Sequence, residues 1–453
     1  MDSSTPPQYP VEKHEPLASS SLPVYRQDSE FSSVERFKKK RRCFRFICAG
    51  LCFYLMMLGT GHFNFMTSFL RSGFSNSDVS FRSWPIPSDI TLDKCSEWSE
   101  DSLTDRHRHR DLPPAPYSAI SSFDLKVSAR TLFFLARGHL SNGEINFVST
   151  TNEGDIARVE VVTSYWEANA LDYAKVCRVT RGDDEEGLGL FTPSWAAPHE
   201  RIRLQFSVTV HLPKGVKDSV LRVNALETDL PLFAHHVDDL ANKVEFEGVN
   251  LRTANAHIVV ESISTGTAKI TTANSPIEGT FNTSSSLSLV TANAYIKAKI
   301  GLENGNGDDS TNVLMSTSNA PIDAVVSLTT PKSSGGKYRI HARTAIGKID
   351  LTVPVAPIDS NIYIDATTSV SPVLVTLPAT YEGGFSLETS LKRANVLFDG
   401  KKEDPKDEKR KRIFEIFGDR FGRTEGVVAW SDEGKARGDV KIRSSLADVV
   451  LSL

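Results

Sequence analysis

Apolar residues return at every second position through much of the chain beyond residue 117. Ile202, Leu204, Phe206, Val208 and Val210 alternate with polar neighbours. A period of two sets one face of a strand in a core and the other in water, so this region predicts strands rather than helices. From residue 249 the alternation carries a repeat. Leu251, Thr253, Asn255 and Ile258 return as Ile270, Thr272, Asn274 and Ile277. They return again as Leu289, Thr291, Asn293 and Ile296, and as Met315, Thr317, Asn319 and Ile322. With the asparagine replaced, the template continues through Ile340, Thr344 and Ile349, then through Ile364, Thr368 and Val373. Its last copies run through Phe385, Thr389 and Ala394, and through Val440, Ser444 and Val449 to Leu453.

The T-x-N-[AS] step breaks the alternation by one residue and marks a corner between two strands. Asparagine tolerates left-handed backbone, and Thr and Asn side chains bond locally to turn backbone. A strand–corner–strand unit cannot bury its own apolar face, whereas stacked copies bury one continuous core. Stacking sets the threonines in a hydroxyl ladder and Asn255, Asn274, Asn293 and Asn319 in an amide ladder. The expected fold is all-β: a repeat-built β-solenoid over 249–453, with a charged insertion at 400–425. An antiparallel β-sandwich is the alternative, although it has no reason to repeat the same corner. Residues 117–248 are also strand-rich and form either a cap or the first coils. Within them Ser141-Asn142-Gly143-Glu144 predicts a hairpin turn.

These corners and alternating strands resemble the putative-adhesin β-solenoid domain family, whose fungal members pair such a domain with an N-terminal anchor. The resemblance spans 117–453 and is strongest over 249–398 and 440–453. It implies a fold and an adhesin-like, non-enzymatic binding or structural role. It supplies no catalytic residue and no cofactor, because most of the family has no established biochemical role. The chain departs from the family's T-x-N-G corner by placing Ala or Ser after Asn, which puts the turn type in question.

The N-terminal part has a different pattern. Residues 46–70 contain no Asp, Glu, Lys or Arg, and a run longer than about 20 apolar residues matches a membrane-spanning helix. Arg36, Lys38, Lys39, Lys40, Arg41, Arg42 and Arg45 precede it. Basic flanks stay in the cytosol, so the expectation is a single-pass signal-anchor with residues 1–45 cytosolic and the C-terminal domain extracellular or lumenal. Membrane lipid is then a partner, and the basic cluster suits an anionic inner leaflet. Cys43, Cys48 and Cys52 at the inner boundary suit palmitoylation; the alternative is simple apolar packing. Residues 1–45 read as a disordered tail, rich in Ser and Pro over 1–35. Pro6, Pro7 and Tyr9 within it form a PPxY motif, which a WW-domain protein grips through a preformed polyproline helix. Residues 71–116 read as a polar stalk.

Composition narrows the chemistry. A net charge of −4 over 453 residues gives no basic footprint for nucleic acid. Asn282-Thr283-Ser284 is a glycosylation acceptor, consistent with a domain outside the cytosol. Cys95 and Cys177 are free to pair there, with no geometry given by sequence. Four positions past the corner anchor stand Glu278, Lys297, Asp323 and Asp350, a row that stacking sets ~4.8 Å apart. Paired carboxylates suit a polysaccharide-cleaving enzyme; the alternative is a solvated ladder neutralised by Lys297. His235 and His236 with Asp238 and Asp239 offer metal-type ligands or a plain turn. Two Arg-Gly-Asp triplets begin at Arg181 and Arg437, and Lys409-Arg410-Lys411-Arg412 is either a protease site or a solvated loop. The ligand of the domain is open between cell-wall glycan and a surface protein, with a sorting adaptor acting through the PPxY tail as a further reading.

Overall fold

The structure, a computed structural model, describes residues 84–100, 115–194, 202–305 and 309–453. All the strands described here belong to one compact unit, Asn76–Leu453. Residues 46–70, Cys43, Cys48, Cys52, Pro6, Pro7 and Tyr9 lie outside the described residues. Among those described, no helix is long and apolar enough to cross a membrane. They are all-β, with a sheet of 27 strands that is not closed on itself.

Each corner joins a strand of one ladder to a strand of another, and successive copies pair in parallel and in register. Val244–Arg252 pairs with the second half of Ile258–Thr271, placing Leu251 opposite Ile270. That half pairs with Ile277–Val290, placing Ile270 opposite Leu289, which in turn faces Met315. Beyond the corners, Ile258, Ile277, Ile296, Ile322 and Ile349 stand in register as a second ladder. The residues of period two are the buried ones. Ile270, Leu289, Met315, Ile340, Ile296 and Ile349 are all fully enclosed in one contiguous core that runs from Ala119 to Leu453.

The stacking order differs from the chain order at both ends. Asp439–Ser444 sits between Asn361–Thr368 and Gly383–Thr389, parallel to both. Its continuation Val449–Ser452 sits between Val373–Thr376 and Ala394–Leu397. The last copy in sequence is therefore the last but one in space. At the other end, Thr131–Arg137 lies between Glu185–Phe191 and Leu221–Asp229, so an early copy lies inside a later one. Gly143–Glu153 is likewise flanked by Leu204–Lys214 and Phe233–Asp239. Ser141 to Glu144 is thus a corner between ladders, not the expected hairpin turn, because the strands on either side of it do not pair with each other.

Antiparallel strands finish each end. Ile156–Tyr165 pairs antiparallel with both Tyr117–Lys126 and Leu204–Lys214. At the far end the expected charged insertion at 400–425 carries a strand, Ile413–Arg420, which forms a hairpin with Arg423–Ala429. That hairpin covers the edge of Gly383–Thr389. Phe414 stacks on Phe398 at 4.4 Å between ring centroids and on Phe385 at 5.9 Å, closing the end of the core. The basic run before it is only half solvated: Lys409 and Lys411 are exposed, whereas Arg410 and Arg412 are held by the fold. Asp404 accepts bidentate bonds from Arg410 at 3.0 and 2.6 Å, and Arg412 is buried between the rings of Phe398 and Trp430.

The expected polar stalk at 71–116 also contributes to the fold. Ile90–Cys95 pairs antiparallel with Lys175–Arg181. Ile90 joins Phe133, Leu135, Val179 and Phe191 in a small second core, against which Trp84, Ile86 and Leu92 pack. Cys95 and Cys177, register partners in that pair, form a disulfide between residues 82 apart in sequence. The stalk's few apolar residues pack on Thr131–Arg137, Lys175–Arg181 and Glu185–Phe191, too few to stand out from a polar stretch.

Candidate functional site

The corner is built from its buried hydroxyl outward. Thr253, Thr272, Thr291, Thr317, Thr344, Thr368 and Ser444 are all buried. Each needs a partner there, and each donates to a carbonyl of a neighbouring corner. Thr291 donates to Ser275 at 3.2 Å, Thr317 to Ala294 at 3.0 Å and Thr344 to Ala320 at 3.2 Å. Thr368 donates to Gly347 at 3.1 Å and Ser444 to Ser371 at 3.0 Å. The hydroxyls therefore bond to backbone rather than to one another as a ladder. Successive corners present a carbonyl to each hydroxyl, and a carbonyl is the stronger acceptor.

The asparagines form the amide ladder. Asn274 donates to the side-chain oxygen of Asn255 at 2.6 Å, Asn293 to Asn274 at 2.7 Å and Asn319 to Asn293 at 2.6 Å. None of the four has a positive φ, so their role is the exposed ladder and not the left-handed backbone that the sequence suggests. Next to it runs the charged row. Glu278 stands opposite Lys297, Lys297 opposite Asp323 and Asp323 opposite Asp350. Tyr295 donates its hydroxyl to Glu278, and Lys348 pairs with Asp350 at 2.7 Å. Lys297 and Asp323 are exposed, and Glu278 and Asp350 are half-buried. The row lies on the outer face of a strand ladder. Two shallow depressions lie elsewhere, one bordered by Asn395, Leu397 and Ile416 and one by Asn152, Arg158 and His211; neither includes a residue of the row.

Other sequence candidates are structurally occupied. His235 is fully buried. Its Nδ1 lies 3.0 Å from the Phe233 carbonyl, which only accepts, so the proton is assigned to Nδ1. Its Nε2 then accepts from Thr228 at 2.8 Å, while Thr228 accepts the Arg252 amide at 3.0 Å. Both ring nitrogens are used, which leaves no lone pair for a metal. Burial pushes the imidazole down to about 3. His236 meets His257 edge-to-face at 5.0 Å. Among the described residues no group of three or more His, Cys, Asp and Glu side chains is placed to hold a metal ion. Neither Arg-Gly-Asp triplet presents its arginine. Arg181 binds Glu185 and Glu227, each at 2.6 Å, and Arg437 pairs with Asp359 at 2.5 Å and with Glu382. Asn282 is exposed in mid-strand, opposite Ser264 and Gly301. A Cβ at Gly301 would stand 2.5 Å from the Asn282 side-chain oxygen.

A family model described as a domain of unknown function, DUF7330, matches residues 267–399. No curated protein matches the chain. Among solved structures, the chain is similar at 10% identity to a putative cell adhesion protein from Clostridium sporogenes, over 74% of this chain and 99% of that one, with a TM-score of 0.16. A putative adhesin from Parabacteroides distasonis matches at 10% identity over 74% and 97%, with a TM-score of 0.27. One from Parabacteroides merdae matches at 10% identity over 74% and 96%, with a TM-score of 0.26.

Two substitutions separate the layers of the corner. Thr291→Val leaves the Ser275 carbonyl without its buried donor and should cost about 1–3 kcal/mol of unfolding free energy. Asn274→Ala removes two exposed amide bonds that water replaces, and should cost less than about 1 kcal/mol. Urea denaturation of both variants checks the ranking; equal costs would contradict it. His235 gives a pH signature. It stays neutral in the fold, whereas the unfolded chain takes up a proton below about pH 6.5. Stability from this group is complete above that value and is lost as pH falls toward 3, at about 1.4 kcal/mol per unit. Between pH 7 and pH 5 the natural chain should lose about 2 kcal/mol more than His235→Gln. Identical pH dependence in the two would contradict this assignment.

Proposed function

We propose that this chain is a membrane-anchored, non-enzymatic, adhesin-like protein whose C-terminal unit is a β-solenoid that binds an extended partner on its outer face. The parallel register from one corner copy to the next supports the solenoid over a sandwich, whose strands pair mostly antiparallel. The binding reading rests on one observation. The Asn255–Asn319 amide ladder and the row of Glu278, Lys297, Asp323 and Asp350 present polar groups at a constant strand spacing on an open face. A regular array of this kind suits a regular polymer, and cell-wall glycan fits better than a globular partner. Fixed polar groups at ~4.8 Å intervals are close to the spacing of a sugar ring. The uncharged run at 46–70 and its basic flank support an anchor with the C-terminal unit extracellular or lumenal. The Cys95–Cys177 disulfide and the exposed Asn282 support the same side of the membrane.

The runner-up is a polysaccharide-cleaving enzyme, favoured only by the adjacent carboxylates Asp323 and Asp350. One incubation of residues 76–453 with immobilised cell-wall polysaccharides separates the two. The expected result is retention without new reducing ends, weakened when Glu278→Gln, Asp323→Asn and Asp350→Asn are combined. New reducing ends that vanish in that triple variant would establish the enzyme instead. No retention on any polysaccharide would contradict glycan binding. The tail reading, a WW-domain protein gripping Pro6, Pro7 and Tyr9, is separate: full-length chain lacking residues 6–9 should show altered turnover or location, and an unchanged pair would contradict it.

A further inference from the structure

Asn282-Thr283-Ser284 is the only Asn-x-Ser/Thr triplet of the chain. It lies inside the strand Ile277–Val290, where side chains alternate between core and water. Asn282 and Ser284, the two residues by which such a triplet is recognised, are therefore both outward and exposed. Thr283 between them is buried and donates its hydroxyl to the Gly266 carbonyl at 2.8 Å. Small side chains surround Asn282. Ser264 stands opposite it on one neighbouring strand and Gly301 on the other, and Gly301 is followed in the ladder by Ser327. Thr280 and Ser284 flank it along its own strand. The nearest long side chains, Lys299 and Glu303, lie diagonally across, two residues either side of Gly301, and both are exposed. Glycine inside a strand weakens it and marks a close approach. Here the approaching group is Asn282, whose side-chain oxygen stands 2.5 Å from where a Cβ on Gly301 would be. The Asn282 amide makes no hydrogen bond among the described residues. The amides of Asn274, Asn293 and Asn319, by contrast, all donate within the corner ladder.

We infer that Asn282 carries an N-linked glycan and that this clearing is its seat. The inference rests on the extracellular or lumenal side proposed for this unit, where such a glycan is added. The step joins Asn282 Nδ2 to the anomeric carbon of a lipid-diphosphate-linked oligosaccharide. The bond from that carbon to the diphosphate breaks, the lipid diphosphate leaves with the electron pair, and the amide gives up one proton. A glycan is bulky and polar. It needs an amide that the fold does not use and neighbours that it does not strike, and Asn282 has both. Glu278 stands four residues back along the same strand, ~13 Å away. A glycan on Asn282 therefore covers the small residues from Ser264 to Ser327 and leaves the charged row and the amide ladder open.

The test expresses the full chain in a eukaryotic host and treats it with peptide N-glycosidase. The expected result is one downward shift in gel mobility, with Asn282 converted to Asp in the peptide mass spectrum. Asn282→Gln and Ser284→Ala should each abolish the shift, and Ser284→Thr, which keeps the hydroxyl, should retain it. No shift in the natural chain, or a shift that survives Asn282→Gln, would overturn the inference. Gly154→Thr tells that failure apart from a failure of the proposed side. It makes an acceptor of exposed Asn152, at a position where an added Cβ meets nothing closer than 3.8 Å. A shift in Gly154→Thr but not in the natural chain would reject the glycan at Asn282 and leave the side standing. No shift in either would reject both. Gly301→Val tests the seat. It should lower the protease-resistant yield of the glycosylated chain, and adding Ser284→Ala, which removes the glycan but keeps Asn282, should restore it. An undiminished yield in Gly301→Val, or a loss that Ser284→Ala does not restore, would overturn the seat.

Discussion

A parallel strand ladder satisfies its backbone only in its interior. Each strand beyond the corners meets a neighbour on both edges and buries one face against the opposite ladder. The first and last strands have a free edge, and an open edge costs hydrogen bonds and invites aggregation. The architecture of this chain follows from how those ends are finished. At one end antiparallel strands and the disulfide-linked pair of Ile90–Cys95 and Lys175–Arg181 close the ladders. At the other, the hairpin of Ile413–Arg420 and Arg423–Ala429 lies along Gly383–Thr389, the outermost strand of one ladder, and Phe414 seals the core beneath it, while Ala394–Leu397 in the second ladder pairs on one edge only. The copy at 439–452 is not left at an end, because it lies between two others. Its apolar residues Val440, Ile442, Val449 and Leu451 are completely buried, whereas Ala394 and Val396 in the end copy are only half-buried.

Much of this was legible in the residues. The alternation around Leu289 and Ile296 located the strands, the Thr–Asn step located the corners from Thr253 to Asn319, and the same template without Asn located those after Thr344, Thr368, Thr389 and Ser444. The stacking order was not legible, for a physical reason. Val440, Ile442 and Ser444 present the same pattern as Phe385, Leu387 and Thr389, so either copy fits beside Ile364. The long interval between Leu391 and Leu446 reads as loop material, yet it holds the hairpin of Ile413–Arg420 and Arg423–Ala429. Its charge hid it: Arg412 reads as solvated and is buried between Phe398 and Trp430. The asparagines were read for two properties, and the structure shows the amide ladder without the left-handed backbone.

The surface follows from the same regularity. A stacked repeat turns each outward position into a row, so one substitution pattern along the sequence becomes one chemical stripe in space. The amides of Asn255 to Asn319 and the charges of Glu278 to Asp350 are two such stripes. Neither sits in an enclosed cleft, and each is wide enough to meet something extended. Recognition by a repeated array, rather than chemistry at a single point, is what this geometry favours.

The central claim is the order of the stack, and pairwise cysteine cross-linking in residues 76–453 tests it directly. Leu374 stands in register with Val450, and Val450 with Asn395. Neighbours ~4.8 Å apart lie within disulfide reach, and residues two strands apart do not. Mild oxidation should therefore link the cysteine pair at positions 374 and 450 and the pair at 450 and 395, and leave the pair at 374 and 395 unlinked. A cross-link between 374 and 395, with none to 450, would mean that the copies stack in chain order and would contradict the account.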